Sequence, residues 1–342
     1  MTERVDEGAL AGALTAIVRE RLADDDATVV EVNRTERGFS TETYLFTVKD
    51  GSGASTDLVL RRPPAVSLFP DYDLRRQYVV MERLARATDL PVPTGKWIDP
   101  SGDNPLGTPY LVMNRIAEGS APSDFPSYHT AGNYFEADES GRRAMWFGCI
   151  DAMARVHKVD VDAARLGFLA MPQYGTRPLE QIVNYVDMAV HWAADSISPT
   201  YDRALAWLRQ NEYEPEHTTL LWGDARMSNI LYAQDHSITG VLDWEIAYLG
   251  DHEADLAWML FLDWASSEFE GHPALPGTPT RAESIARYEE QTGWKVRNLD
   301  YNEVLAAVLL AIPIIRMSAF LNLGPDVDIM GFCTARIEQI IG

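Results

Sequence analysis

The chain is poor in cysteine, in basic residues and in long apolar runs, and each shortage removes a class of explanation. Its two cysteines, Cys149 and Cys333, lie far apart in apolar context. That excludes a disulfide scaffold and a cysteine-spaced metal site, and it reads as two buried thiols in a reducing compartment. Lys and Arg number 29 against 51 Asp and Glu, a formal charge of −22. Such a chain releases no counterions from a phosphate backbone and is not drawn to an anionic bilayer, so neither nucleic acid nor membrane is expected as a partner. The acidity fits solubility, or attraction of cationic substrates. The longest apolar run, Val304 to Ile315, contains Pro313 and is too short to span a bilayer. The acidic N-terminus lacks the basic-then-apolar order of a signal peptide, so the expectation is a cytoplasmic protein. Also missing are G-x-x-x-x-G-K-S/T, G-x-S-x-G, H-E-x-x-H and paired C-x-x-C, each of which would have brought its own chemistry.

What is present is enough apolar residue, 46% of 342, to build the cores of two packed units. Leu10, Leu14, Ile17, Val18 and Leu22 form a helical stripe that ends at the acidic run 24–26. Strands follow at 28–33, 41–48 and 57–62, with the hairpin turn "DGSG" at 50–53 and a stop at Pro63 and Pro64. Residues 71–87 read as a helix, and "GKWID" and "PYLVMNR" as two more strands. The order strand, strand, strand, helix, strand, strand describes a small antiparallel sheet carrying one helix. The N-terminal lobe is therefore set at 1–115, with 1–27 a leading helix, and a helical lobe at 116–342. Helices are expected at 142–158, 178–194, 199–210, 252–264, 280–292, 302–317 and 328–341.

One β-like stretch interrupts the helices: "LLWGDARMSNILY" (221–233), then "GVLDWEIAYLGD" (240–251). Asp224, Asn229 and Asp243 sit between apolar runs, where an unpaired carboxylate costs several kcal/mol. Two strands joined by a turn bring together the loop before the first and the residue that ends the second. A carboxamide oxygen and a carboxylate are hard ligands suited to Mg²⁺. A second carboxylate nearby can accept a proton or orient a hydroxyl. Phosphoryl transfer from ATP asks for those parts.

The motif "LLWGDARMSNILY…GVLDWEIAYLGDHEADLAW", with "RGFSTETYLFTV" and "LVLRRPP", resembles the aminoglycoside phosphotransferase and choline kinase-like family. The branch it resembles is that of the kinase-like domain of acyl-CoA dehydrogenase family member 10. The resemblance covers nearly the whole chain. It implies an α+β, protein-kinase-like two-lobed fold and ATP- or GTP-dependent phosphorylation of a small-molecule hydroxyl. By position, Asp224 resembles the catalytic base, and Asn229 and Asp243 the Mg²⁺ ligands. Arg226 stands where a cation meets the γ-phosphate. Gly38, Phe39, Ser40 and Thr41 resemble the loop over the phosphates, and Arg61 takes the place of the phosphate-pairing lysine. The adenine edge is expected at the backbone from Met113 to Arg115. Three positions depart from the family pattern: Trp222 for the His before Gly-Asp, Arg61 for lysine, and Gln77 for the helix glutamate. Gln77 cannot form an ion pair but is able to hydrogen-bond Arg61. These departures keep a non-catalytic nucleotide-binding regulator open as an alternative, and the acidity keeps an aminoglycoside resistance kinase open. The oligomeric state is not legible.

Other polar residues have structural readings. Asp255 is expected to brace the catalytic loop, and N-capping accounts for one of Asp251 and Asp255. His157 reads as a cation at a helix C-terminus and His252 as helix-start surface. Glu245 reads as a second layer around a metal or as salt-bridged surface. Trp192, Trp258 and Trp264 read as core. The segment 119–141, with Tyr128, His129, Tyr134 and Phe135, reads as a substrate lid or a surface insertion.

Overall fold

Tyr44, Phe46 and Val48 alternate along one strand and all three are buried, the period-two mark of a sheet with one covered face. The computed structural model describes residues 7–35, 41–64, 66–321 and 331–342. By contacts the chain forms two compact units. The first comprises the residues up to Ser67 together with Asp71–Glu82 and Pro93–Ala117; the second comprises Leu68–Pro70, Arg83–Val92 and the chain from Glu118 on.

In the first unit α1 (Glu7–Leu22) precedes β1 (Thr28–Arg34), β2 (Glu42–Lys49) and β3 (Ser55–Arg62). Then come α2 (Leu74–Ala87), whose residues from Arg83 on belong to the second unit, β4 (Gly95–Asp99) and β5 (Tyr110–Asn114). The five strands lie in the order β1-β2-β3-β5-β4, antiparallel throughout. The turn between β2 and β3 closes on Asp50, whose Oδ1 accepts from Ser52 N and Ala54 N at 2.9 Å each. Gly53 supplies the positive φ there, +85°. Leu10, Leu14, Ile17 and Val18 of α1 pack on Tyr44, Phe46, Val48, Leu58 and Leu60, so the helical stripe and the alternating strands bury each other.

The second unit is mainly helical: α3 (Gly132–Glu136), α4 (Glu139–His157), α5 (Pro178–Ala193), α6 (Pro199–Gln210), α7 (Ala254–Trp264), α8 (Arg281–Thr292), α9 (Leu299–Phe320) and α10 (Gly331–Ile341). Asp138 caps α4 by accepting from Gly141 N, and Thr280 with Glu283 forms a capping box on α8. The apolar run near 304–315 belongs to a 22-residue helix, longer than the run itself. By length and composition α9 is apolar enough to cross a membrane. Within the second unit its Val304, Leu305, Ala307, Val308, Ala311 and Ile312 pack in the core with residues of α5, α6, α7 and α10. Trp192 departs from the core reading: it is 37% exposed, under the Arg316 guanidinium at 4.5 Å.

Candidate functional site

Two antiparallel ladders nest in the second unit. The outer pairs β6 (Thr218–Leu221) with β9 (Tyr248–Asp251), and the inner pairs β7 (Ile230–Tyr232) with β8 (Ile238–Val241). Leu221 sits opposite Tyr248, and Ile230 opposite Val241. The loops 222–229 and 242–247 must therefore lie side by side. Leu242 N donates to Asn229 O at 2.8 Å, and the Trp222 indole donates to Leu242 O at 2.8 Å and Asp243 O at 3.2 Å. Gly223 has φ +89°, and a Cβ there would meet Ile246 O at 2.3 Å, so only glycine fits where the loops touch. Asp243 also takes a positive φ, +64°, which turns the chain sharply after β8. Trp222, at the position of the family's histidine, is fully buried and stacks on Trp244.

Asp224 is gripped from several sides. Its Oδ1 accepts from the Trp258 indole at 2.9 Å, and its Oδ2 from Asn229 Nδ2 at 2.8 Å. Arg226 Nε reaches both oxygens, at 3.0 and 3.1 Å. Arg226 Nη1 continues to Asp124 Oδ2 at 2.7 Å. Burial pushes the Asp224 carboxyl above the usual range; Arg226 pulls it back, Asp243 adds to the rise, and Asn229 and Trp258 favour the ionised form. For Arg226 burial lowers the pKa, but Asp224, Asp124 and Asp243 outweigh it and hold the guanidinium above its ordinary value. Three carboxylates thus act on one cation, which leaves the cluster with excess negative charge. Asn229 also donates from Nδ2 to Asp224 O at 2.9 Å, so its carbonyl oxygen is left as an acceptor. Hard oxygen donors with excess negative charge fit Mg²⁺.

The loop is braced from behind. Asp255 accepts from Trp222 N at 2.7 Å, from Gly223 N at 2.9 Å and from His157 Nε2 at 2.9 Å. His157 binds Tyr288 with its other nitrogen at 2.6 Å. It is therefore a buried link between helices, whose position at the end of α4 is incidental to its use. Neither Asp251 nor Asp255 caps α7: its N-cap position is Glu253, which makes no side-chain cap bond. Asp255 spends its oxygens on the 222–223 backbone and His157, and Asp251 receives Tyr213 and Asn302. His252 is not surface. It is 1% exposed, packed by Trp294 and Tyr288, because β9 runs straight into the core before α7 begins.

The segment 119–141 is tied down within its unit. Tyr128 and His129 are buried, and both bind Asp263 Oδ1, at 2.6 and 2.9 Å. Tyr134 is buried and bonded to Thr278 at 2.8 Å. Phe135 stays 44% exposed. The same segment supplies Asp124, whose link to Arg226 no local spacing signals. Asp124, Arg226, Met227, Met259, Leu262 and Phe332 line a cavity of about 120 Å³ whose walls are mostly apolar.

In the first unit, Thr41 Oγ1 accepts from Arg61 Nη2 at 3.0 Å and lies 2.7 Å from the Tyr72 hydroxyl. Gln77 is 2% exposed, and among the described residues neither of its side-chain polar atoms has a hydrogen-bond partner. The bond that Gln77 is able to make to Arg61 is not formed; Arg61 turns to the Thr41 hydroxyl. Met113 is buried in β5 opposite Val59, and Arg115 follows with N donating to Asp57 O at 3.3 Å. Gly38, Phe39 and Ser40 lie outside the described residues.

The family model described as "Phosphotransferase enzyme family" matches residues 31–294. The chain is 28% identical over 269 residues to acyl-CoA dehydrogenase family member 10 of Mus musculus, covering 78% of this chain and 23% of that protein. It therefore spans about a quarter of that relative's length. Among solved structures, a Ralstonia eutropha chain described as a candidate aminoglycoside phosphotransferase superposes with TM-score 0.67 at 20% identity, covering 98% of this chain and 96% of the other. A ternary complex of a thermostable aminoglycoside phosphotransferase mutant with AMP-PNP and hygromycin B gives TM-score 0.58 at 17% identity, covering 96% and 97%. At these identities the structural likeness is one of fold: α+β and kinase-like.

Proposed function

Because this chain belongs to the phosphotransferase enzyme family, we propose that it moves the γ-phosphoryl group of ATP, with Mg²⁺, to a hydroxyl of a small molecule. The observation that carries the reading is the gripped carboxylate of Asp224 beside Asn229 and Asp243. Asp224 orients the acceptor hydroxyl and takes its proton as that oxygen bonds to the γ-phosphorus and the bond to the bridging oxygen opens. Asn229 and Asp243 would hold Mg²⁺. When bound, the ion offsets charge on the phosphate oxygens. Arg226 is committed to Asp224 and Asp124, so its first role is to steady the base; contact with the γ-phosphate would have to share the same guanidinium. Thr41 and Arg61 are assigned to the phosphates, with Gly38, Phe39 and Ser40, and the backbone of Met113 to Arg115 to the adenine. The cavity beside Arg226 has Met227, Met259, Leu262 and Phe332 as apolar walls, with Asp124 and Glu270 also in its lining, which suits an acceptor with an apolar face.

A titration of ATP into the purified protein, with and without Mg²⁺, tests the reading. Binding that requires the metal is the expected result, followed by turnover with a hydroxyl acceptor found by screening. The second reading, a nucleotide-binding regulator, draws on Gln77, which makes no bond to Arg61. Metal-dependent binding with no turnover on any acceptor or on water would favour it.

A further inference from the structure

Helix α7 presents Asp255, Trp258, Met259 and Leu262 at i, i+3, i+4 and i+7, one face of a helix. Asp255 takes the backbone N–H groups of Trp222 and Gly223, the two residues before Asp224. One turn on, the Trp258 indole donates to the Asp224 side chain itself at 2.9 Å. A single rigid helix thus holds both the path of the loop and the rotation of the carboxylate at its tip. Met259 and Leu262, next on that face, line the cavity beside Arg226.

A carboxylate offers about four acceptor directions. Asn229 takes one on Oδ2, Trp258 takes one on Oδ1, and Arg226 Nε sits between the two oxygens. Without the indole, the remaining donors would let the carboxylate rotate about its Cβ–Cγ bond toward Arg226. The indole resists this because it is stiff and only 5% exposed, packed in the core of its unit. It is also a neutral donor. It aligns the oxygen without adding a second positive charge to weaken the base, and Arg226 already brings one that it shares with Asp124.

We propose that Trp258 is a positioning residue for phosphoryl transfer: its indole N–H fixes the orientation of the Asp224 carboxylate toward the acceptor. This rests on the reading of Asp224 as the base. The test has two arms. In ¹⁵N-labelled protein, the nine tryptophans give indole signals, and the one missing from W258F is that of Trp258. That signal should shift strongly in D224A. In the second arm, W258F is assayed for Mg²⁺-dependent ATP hydrolysis, with water as the acceptor. Turnover should fall about tenfold or more while KM for ATP stays at the wild-type value, a split that a general loosening of the core would not produce. Benzothienylalanine at position 258, which exchanges only the N–H for sulfur, should behave as W258F does and carries the kinetic arm if W258F does not fold. An indole signal unmoved by D224A, or wild-type turnover in both variants, overturns the proposal. Wild-type protein that hydrolyses no ATP and phosphorylates no acceptor would count against the phosphotransferase reading alone, because the indole signal still decides whether Trp258 holds Asp224.

Discussion

Asp255 and Gln77 are almost equally buried, at 1% and 2% exposure, and are in opposite states. Asp255 has three donors on its two oxygens. Among the described residues, Gln77 has no partner for its amide nitrogen or its carbonyl oxygen. A buried polar group without a partner costs about 1–3 kcal/mol, so natural chains keep few of them. The difference teaches that the start of the 222–229 loop in the second unit, at Trp222 and Gly223, has its buried donors satisfied. The position of the family's helix glutamate in the first unit instead carries a side chain whose hydrogen-bonding capacity is unspent.

The sharpest break is at the loop itself. Asp224→Ala and Asp243→Ala should each reduce phosphoryl transfer from ATP by about 10²–10⁴-fold while leaving the fold intact by circular dichroism. Turnover near the wild-type rate in either variant would undo the assignment of the loop. Asp255→Ala should come next. It leaves two buried N–H groups and His157 without their acceptor, and stability measured by urea unfolding should drop by about 3 kcal/mol. A loss below about 1 kcal/mol would mean that this network is no more cohesive than a surface one.

Gln77→Met should act in the opposite sense. Replacing an unpartnered amide by an apolar side chain of similar length should raise stability by about 1 kcal/mol. If the amide serves the nucleotide, Mg²⁺-ATP affinity measured by calorimetry should fall in the same variant. A stabilised protein with unchanged affinity would show that Gln77 takes no part in the cradle.

The smallest effect is a control on exposure. Glu283 also has three donors, Thr280 N, Thr280 Oγ1 and Arg143 Nη1, each at 2.9 Å, but it lies on the surface. The Thr280 backbone N–H, then its hydroxyl and then Arg143 hold the Glu283 carboxyl down to about 2, from the usual 4.5. A depressed carboxyl stabilises the fold above its unfolded value and loses that contribution as pH falls. The difference in stability between wild type and Glu283→Gln should therefore be constant above about pH 5, shrink between about 4.5 and 2, and vanish below. A difference that persists at low pH would assign the effect to packing.

Much of the first unit was legible because its signals are local. Alternation in β2, the Asp50–Gly53 turn and the stripe of α1 each report within a few residues which face is covered. The Asp224, Asn229 and Asp243 grouping was legible for the same reason, since β7 and β8 join through a short turn. His252, Trp192 and the 119–141 segment were misread or left open. Their surroundings depend on Trp294, Arg316 and Asp263, which approach from other elements. Gln77 was left able to hydrogen-bond Arg61, and Arg61 bonds instead the Thr41 hydroxyl just before β2.

By itself the sequence determined which elements form, which faces they bury and which acidic and amide groups meet at the β7–β8 hairpin. Periodicity and turn chemistry are properties of consecutive residues and need no partner from elsewhere. The tertiary structure alone decided what holds Asp224 in place. Asp124 reaches Arg226 across 102 positions of chain, and Trp258 reaches Asp224 across 34. Such pairs exist only once helices have packed, because the loop entropy that separates them is recovered from burial and not from any local preference.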